Sequence, residues 1–98
     1  MTDAQEVQLS SIVVRSNAPL SADVGGEIVL MSMERGKYYD LDHVSSDIWR
    51  RLSQPVLVAE LCNVLAEEYD GESTTIQTDV IALLRQFADH GLIQVQGS

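Results

Sequence analysis

The pattern of apolar and polar positions divides the chain near residue 41. Before it, apolar residues fall in short extended runs; after it, they recur at helical spacing. Residues 1–10 are polar and are expected to form a flexible N-terminus. SIVVRS, residues 11–16, carries three consecutive branched apolar residues and reads as a strand. Residues 17–26, NAPLSADVGG, gather Asn, Pro, Ser, Asp and Gly and read as a loop. Glu27–Met33 reads as a second strand and Lys37–Leu41 as a third, with Gly36 supplying the positive φ of a hairpin turn. On the third strand Tyr39 and Leu41 share one face, Tyr38 and Asp40 the other. The expectation for this half is an antiparallel three-stranded meander.

Asp42 can cap a helix from His43 to Leu52, with Val44, Ile48, Trp49 and Leu52 on one side. A second helix is expected over Val58–Tyr69, with Leu61, Val64 and Leu65 as its buried stripe and Asp70-Gly71 as its stop. A third runs from Thr74 to His90, before Gly91. At about 100° per residue its Ile76, Val80, Leu83, Leu84 and Phe87 cover one arc, and Ile81 and Ala88 lie beyond it beside Leu84. That apolar surface is wider than a core stripe. Leu92–Val95 is a short extended tail. The order predicts a winged-helix-like α+β domain over residues 11–96, a three-stranded antiparallel sheet followed by three helices.

With 98 residues there is room for one core, and 45% apolar with 21% charged residues is a globular composition. Six Lys+Arg against fifteen Asp+Glu leave a net charge of −9. That balance argues against binding a nucleic-acid backbone and against docking on anionic membranes. MTDAQEVQ lacks the basic and apolar regions of a signal peptide, and no apolar run approaches a membrane span, so a cytoplasmic protein is expected.

Catalytic chemistry is hard to find. Cys62, the one cysteine, sits mid-helix between Leu61 and Val64 and reads as a core residue. His43 and His90 lie at helix ends without metal-ligand spacing, so no metal and no cofactor are expected. Glu67, Glu68 and Asp70 read as a solvated acidic face. Gly25-Gly26 lacks the later glycine or lysine of a phosphate loop. With no nucleophile placed beside a base, the chain reads as a binding protein and not an enzyme. An open sheet edge beside a helix with surplus apolar surface suits an extended peptide that adds a strand.

GKYYDLDHVSSDIWRRL (36–52), VAELCNVLAEEYD (58–70) and DVIALLRQFADHGLIQV (79–95) together resemble the PqqD family. Gly36, Leu41, Asp42, Ile48 and Leu52 match its pattern in order, and Gly91, Leu92 and Ile93 match its closing element. The resemblance spans about residues 10–96, and no single motif in it is specific. It implies a RiPP recognition element, a non-catalytic adaptor that binds the leader of a ribosomally made precursor peptide. The tyrosine-rich third strand looks most like the stand-alone proteins of lasso-peptide clusters. The implied partners are that leader, a separate cysteine-protease-type leader peptidase and an asparagine-synthetase-like cyclase. The order of elements also permits a winged-helix transcription regulator. Against this, the third helix carries Arg85 as its only Lys or Arg, with Asp79 and Asp89 beside it.

The resemblance implies that the leader pairs along the third strand and lies against the third helix. The candidate binding residues are Lys37, Tyr38, Tyr39, Asp40 and Leu41 on the strand, and Gln77, Val80, Ile81, Leu84, Arg85 and Ala88 on the helix. Leu41, Val80 and Leu84 read more readily as core; the tyrosines serve equally as pocket wall or cross-strand pair. Ile81 and Ala88 are expected to line the groove. Arg85 is a candidate for a leader carboxylate, Gln77 and Asp79 for a basic residue. Trp49 reads mainly as core, and Arg50 and Arg51 offer a second docking surface. Leu57 stands where relatives often carry a capping threonine before Glu60, so Leu57→Thr is expected to stabilise by roughly 0.5–2 kcal/mol.

Overall fold

A computed structural model of the protein describes residues 7–17 and 19–96. The elements, in chain order, are β1 (Ile12–Arg15), β2 (Leu20–Val24), β3 (Glu27–Ser32), β4 (Lys37–Asp40), α1 (His43–Arg51), β5 (Val56–Leu57), α2 (Val58–Glu68), α3 (Ser73–Asp89) and β6 (Ile93–Gln96). The fold is α+β, with antiparallel three-stranded sheets and three helices.

The strands divide differently from the expected meander. β1 is the centre of one sheet, ordered β5-β1-β6, and β3 is the centre of another, ordered β2-β3-β4. The first strand of the chain therefore does not pair with the hairpin at Gly36. Its place is taken by β2, inside the stretch expected to be loop. Gly25 and Gly26 have φ of 67° and 93°, the two positive values of a tight hairpin turn, and Val24 pairs with Glu27 across it. Asp23 Oδ1 accepts the Gly26 N–H at 2.8 Å and closes the turn. The Gly-Gly pair was a hairpin signal flanked by the alternation of LSADV. The tail becomes β6 because its backbone completes β1, with Ile12 opposite Gln96 and Arg15 opposite Ile93.

The core gathers the inner residues of both sheets and one side of each helix. Trp49 is buried and meets Phe87 edge-on at 5.9 Å. Ile48, Leu52, Leu61, Leu65, Val80, Leu84 and Phe87 are buried as the helical spacing requires. Val44 and Val64 are exposed, because their helices turn those positions past the edge of the core. Of the expected flexible N-terminus, residues 1–6 lie outside the described residues. Residues 7–10 are held: Val7 is buried, and Leu9 O accepts the Ala59 N–H at 3.0 Å.

Asp42 caps α1 as expected, its Oδ1 accepting the Ser45 N–H at 2.8 Å. That hydrogen bond holds its carboxyl below the usual carboxylate range. One turn on, a buried hydroxyl joins α1 to the sheet. Leu41 N–H donates to Ile28 O, but the reciprocal ladder bond is replaced. Ile28 N–H donates to Ser46 Oγ at 2.8 Å, and Ser46 Oγ donates to Leu41 O at 3.1 Å. Ser46→Ala leaves that buried N–H and C=O unpaired, so unfolding in urea is expected to show a loss of about 2–3 kcal/mol. A loss below half a kcal/mol would mean the rung closes by itself.

Leu57 is the extended residue before α2 and makes no side-chain cap. Yet the first two helical N–H groups, on Val58 and Ala59, donate to the carbonyls of Ser11 and Leu9. Leu57 is also half-buried and paired with Ile12 in β5. The gain from Leu57→Thr is therefore expected at no more than about 0.5 kcal/mol, below the range the sequence suggests. Thermal melts of the two proteins decide between the two figures.

Candidate peptide-binding groove

β4 is the outer strand of its sheet: β3 lies on one side and, among the described residues, no strand on the other. The bond from Leu41 N–H to Ile28 O fixes the phase of the β3–β4 ladder. In an antiparallel pair every second residue turns its N–H and C=O away from the partner. The Ile28–Leu41 and Leu30–Tyr39 pairs face inward, so Tyr38 and Asp40 present their backbone groups to the open edge. Edge groups of this kind template a further strand.

Beside that edge lies a depression of about 430 Å³ between β4 and the C-terminal half of α3. Tyr38, Tyr39, Asp40 and Leu41 form one wall; Leu83, Gln86, Phe87 and His90 form the other. The helical four sit at i, i+3, i+4 and i+7, one flank of α3. Tyr39 packs its ring on His90 at 4.9 Å, and its buried hydroxyl has no hydrogen-bond partner among the described residues. Asp42 and Ser45 stand at the α1 end of the groove. Arg35 fastens the hairpin tip to α3, its Nη2 donating to Asp89 O at 3.1 Å. That bond satisfies a carbonyl at the negative end of the helix. The result is a slot of mixed polar and apolar lining with a peptide-bonding edge and Asp42 at its α1 end.

The structure brings together only part of the candidate set. Lys37, Tyr38 and Asp40 are exposed on the edge and Tyr39 is half-buried in the groove wall. Leu41 borders the groove but belongs to the core. Val80 and Ala88 are 4% exposed and Leu84 0%, so these three are core residues that offer an incoming peptide no surface. For Ala88 this corrects the expectation of a groove residue. Gln77, Ile81 and Arg85 line a different depression, about 360 Å³, with Thr78 and Ala82. It lies on the opposite flank of α3 from Leu83 and His90. There Arg85 Nη2 donates to Val7 O at 3.2 Å and Ile81 packs against the core. The α3 residues that line the depression beside β4 are different ones. Leu83 and Phe87 read as core from the sequence, and Phe87, 3% exposed, is core; Gln86 and His90 were not weighed for the groove. The spacing showed that α3 has two flanks but not which one faces the sheet.

Arg50 and Arg51 do not form a free docking surface. Arg50 donates to Asp23 and to Gly26 O, and Arg51 to Asp47 and Glu68. Cys62 is buried, and burial pushes its thiol up from the usual range, which disfavours a nucleophilic thiolate. Among the described residues no group of three His, Cys, Asp or Glu side chains is placed to hold a metal ion, and no helix is long and apolar enough to cross a membrane.

The chain is similar to known proteins in sequence pattern and in fold. The family model of PqqD, described as coenzyme PQQ synthesis protein D, matches residues 27–93, which include every groove residue. Among solved structures, the chain is similar to TbiB1 in its complex with the TbiA(beta) leader peptide. The identity is 30% over 87% of this chain and 96% of that one, with a TM-score of 0.75. It shares a fold with a lasso peptide synthetase B1 complexed with the leader peptide, at 23% identity over 83% and 95% of the two chains and a TM-score of 0.74. No curated protein matches the sequence. A family match across more than half of the chain, joined to a relative at 30% identity along nearly its whole length, establishes that this chain belongs to the PqqD family.

Proposed function

We propose that the protein is a non-catalytic adaptor that binds the leader segment of a ribosomally made precursor peptide, in the lasso-peptide class. The observation that carries this reading is the open β4 edge beside the groove along α3, in a chain 30% identical to a protein solved with a leader peptide. The leader adds as a strand, exchanging backbone hydrogen bonds with Tyr38 and Asp40. Alternate leader side chains enter the slot between Tyr39 and the flank of Leu83, Gln86 and His90, floored by the buried Phe87. Asp42 favours a basic leader residue at the α1 end. The adaptor then hands the leader to a separate cysteine-protease-type peptidase and to an asparagine-synthetase-like cyclase, in the cytoplasm; the family resemblance supports this half of the reading.

A transcription-regulator reading is weaker on electrostatic grounds. α3 reads STTIQTDVIALLRQFAD, and its one basic side chain is bonded to Val7 O. A helix without a basic face gains nothing from displaced counterions.

Titration with the leader of the precursor encoded beside this chain, followed by amide NMR, is expected to move residues 37–41 and 83–90 and to saturate at one to one. The strand-addition step has a sharper test. Tyr38→Pro removes an outward N–H without touching the β3 ladder, whereas Tyr38→Thr keeps it. With both variants folded, the proline protein is expected to bind leader about tenfold more weakly than the threonine protein, roughly 1.4 kcal/mol. Equal affinities would rule out backbone pairing at this edge. Ile81→Glu separates the two flanks of α3. It buries a charge against the core and is expected to lower the melting temperature while leaving the leader affinity of the folded protein unchanged. Lost affinity in a folded Ile81→Glu protein would move the site to the other flank.

A further inference from the structure

A second cavity, about 500 Å³, opens between β1, β6 and the C-terminal end of α1. That is within the range of ligand sites, roughly 300–1,000 Å³. Arg15, Trp49, Ser53, Gln94 and Gln96 are among its walls, and it shares no lining residue with the groove beside β4. Arg15, Gln94 and Gln96 also lie outside residues 27–93, the stretch that matches the family model.

Arg15 is tied down before any ligand arrives. Its Nε donates to Trp49 O at 3.2 Å and its Nη2 to Arg50 O at 3.3 Å, at the negative end of α1. Its guanidinium lies 5.3 Å from the centre of the Trp49 ring. These contacts use one edge and one face of the group. Nη1 and the second N–H of Nη2, the fork that grips a carboxylate, have no acceptor among the described residues. The ion pairs among the described residues join Arg50 to Asp23 and Arg51 to Asp47 and Glu68, and none includes Arg15. None of the described residues that line the cavity is acidic.

The other walls are neutral. Ser53, Gln94 and Gln96 carry groups that both donate and accept, the complement of a peptide backbone. Trp49 is 2% exposed, and its buried Nε1–H has no hydrogen-bond partner among the described residues. The net charge of −9 does not forbid an anion here. Salt weakens the field of carboxylates beyond about 8 Å, whereas the guanidinium acts at contact distance. A guanidinium that is already ordered also loses little freedom when it binds.

We propose that this cavity is a second peptide site, in which the Arg15 fork binds the carboxylate of an Asp or Glu side chain and the glutamine amides bind the backbone beside it. The proposal stands apart from the leader-binding reading, because the two sites have no wall in common.

The probes are the end-blocked tripeptides Ala-Glu-Ala and Ala-Gln-Ala. NMR of the full chain follows the Arg15 Nε–H and the indole N–H of Trp49, the one tryptophan. The glutamate peptide is expected to move both signals to saturation, with an affinity at least about tenfold above that of the glutamine peptide. Gln94→Glu places a carboxylate in the cavity wall and leaves the bonds of Arg15 to α1 alone. At an unchanged melting temperature it is expected to weaken the glutamate peptide at least about tenfold. Arg15→Lys keeps the charge, loses the fork and is expected to act in the same direction. Equal affinities for the two peptides, no saturation by about 20 mM, or a Gln94→Glu protein that binds as before would each overturn the proposal. The precursor peptide and another protein are two sources of such a side chain. Titrating the precursor encoded beside this chain into both the unsubstituted and the Gln94→Glu protein separates them. Weaker binding by the variant assigns the acidic residue to the precursor, and equal binding assigns it to another protein.

Discussion

The Ser46 hydroxyl, fully buried between Ile28 N–H and Leu41 C=O, is the interaction on which the geometry of this protein turns. It takes the place of one backbone bond in the last rung of β3–β4 and ties that rung to the first turn of α1. Both backbone groups are buried away from water, so the hydroxyl satisfies two polar groups at once. Asp42 caps the same helix two residues after β4 ends. The direction in which the chain leaves the sheet is set by these two side chains, and with it the α1 end of the groove.

From that junction the groove follows. β4 is held on one side by β3, and its tip is held to α3 by Arg35 at the helix C-terminus. The edge is open, yet its two ends are anchored, one by Ser46 and one by Arg35. A strand edge fixed in this way keeps its outward N–H and C=O groups aligned for a partner strand and avoids ordering them at the moment of binding. The same edge, left open, is a site for unwanted pairing. The high net negative charge of the chain opposes that outcome between copies.

Much of the local structure was legible in the residues. The three helices appear within a residue or two of their expected bounds because their apolar spacing, Asp42 and Gly91 are local signals. The Gly36 turn is likewise local, with φ of 63°. β2 was missed because LSADV is exposed throughout and polar at alternate positions, so nothing but the Gly-Gly turn marks it as a strand. The pairing of β1 was missed because its partners lie about 45 and 80 residues away, and strand partners at such distance leave no mark on local periodicity. On α3 the wheel gave the core arc, but it placed most of its candidate binding residues on the core arc or on the flank away from β4.

The sequence by itself determined the element types, the turn glycines, the α1 cap, the family resemblance and the strand that offers its edge. These depend on residues within a few positions of one another, or on a family pattern written along the chain. Tertiary packing alone decided that β1 joins β5 and β6, that Arg50, Arg51 and Arg85 are engaged within the protein, and that Leu83, Gln86, Phe87 and His90 face β4. The physical reason is rotational. A helix with apolar residues over a wide arc can turn either flank to a sheet at similar local cost, and the choice is made by what packs on it: Val7 on one side, Tyr39 on the other.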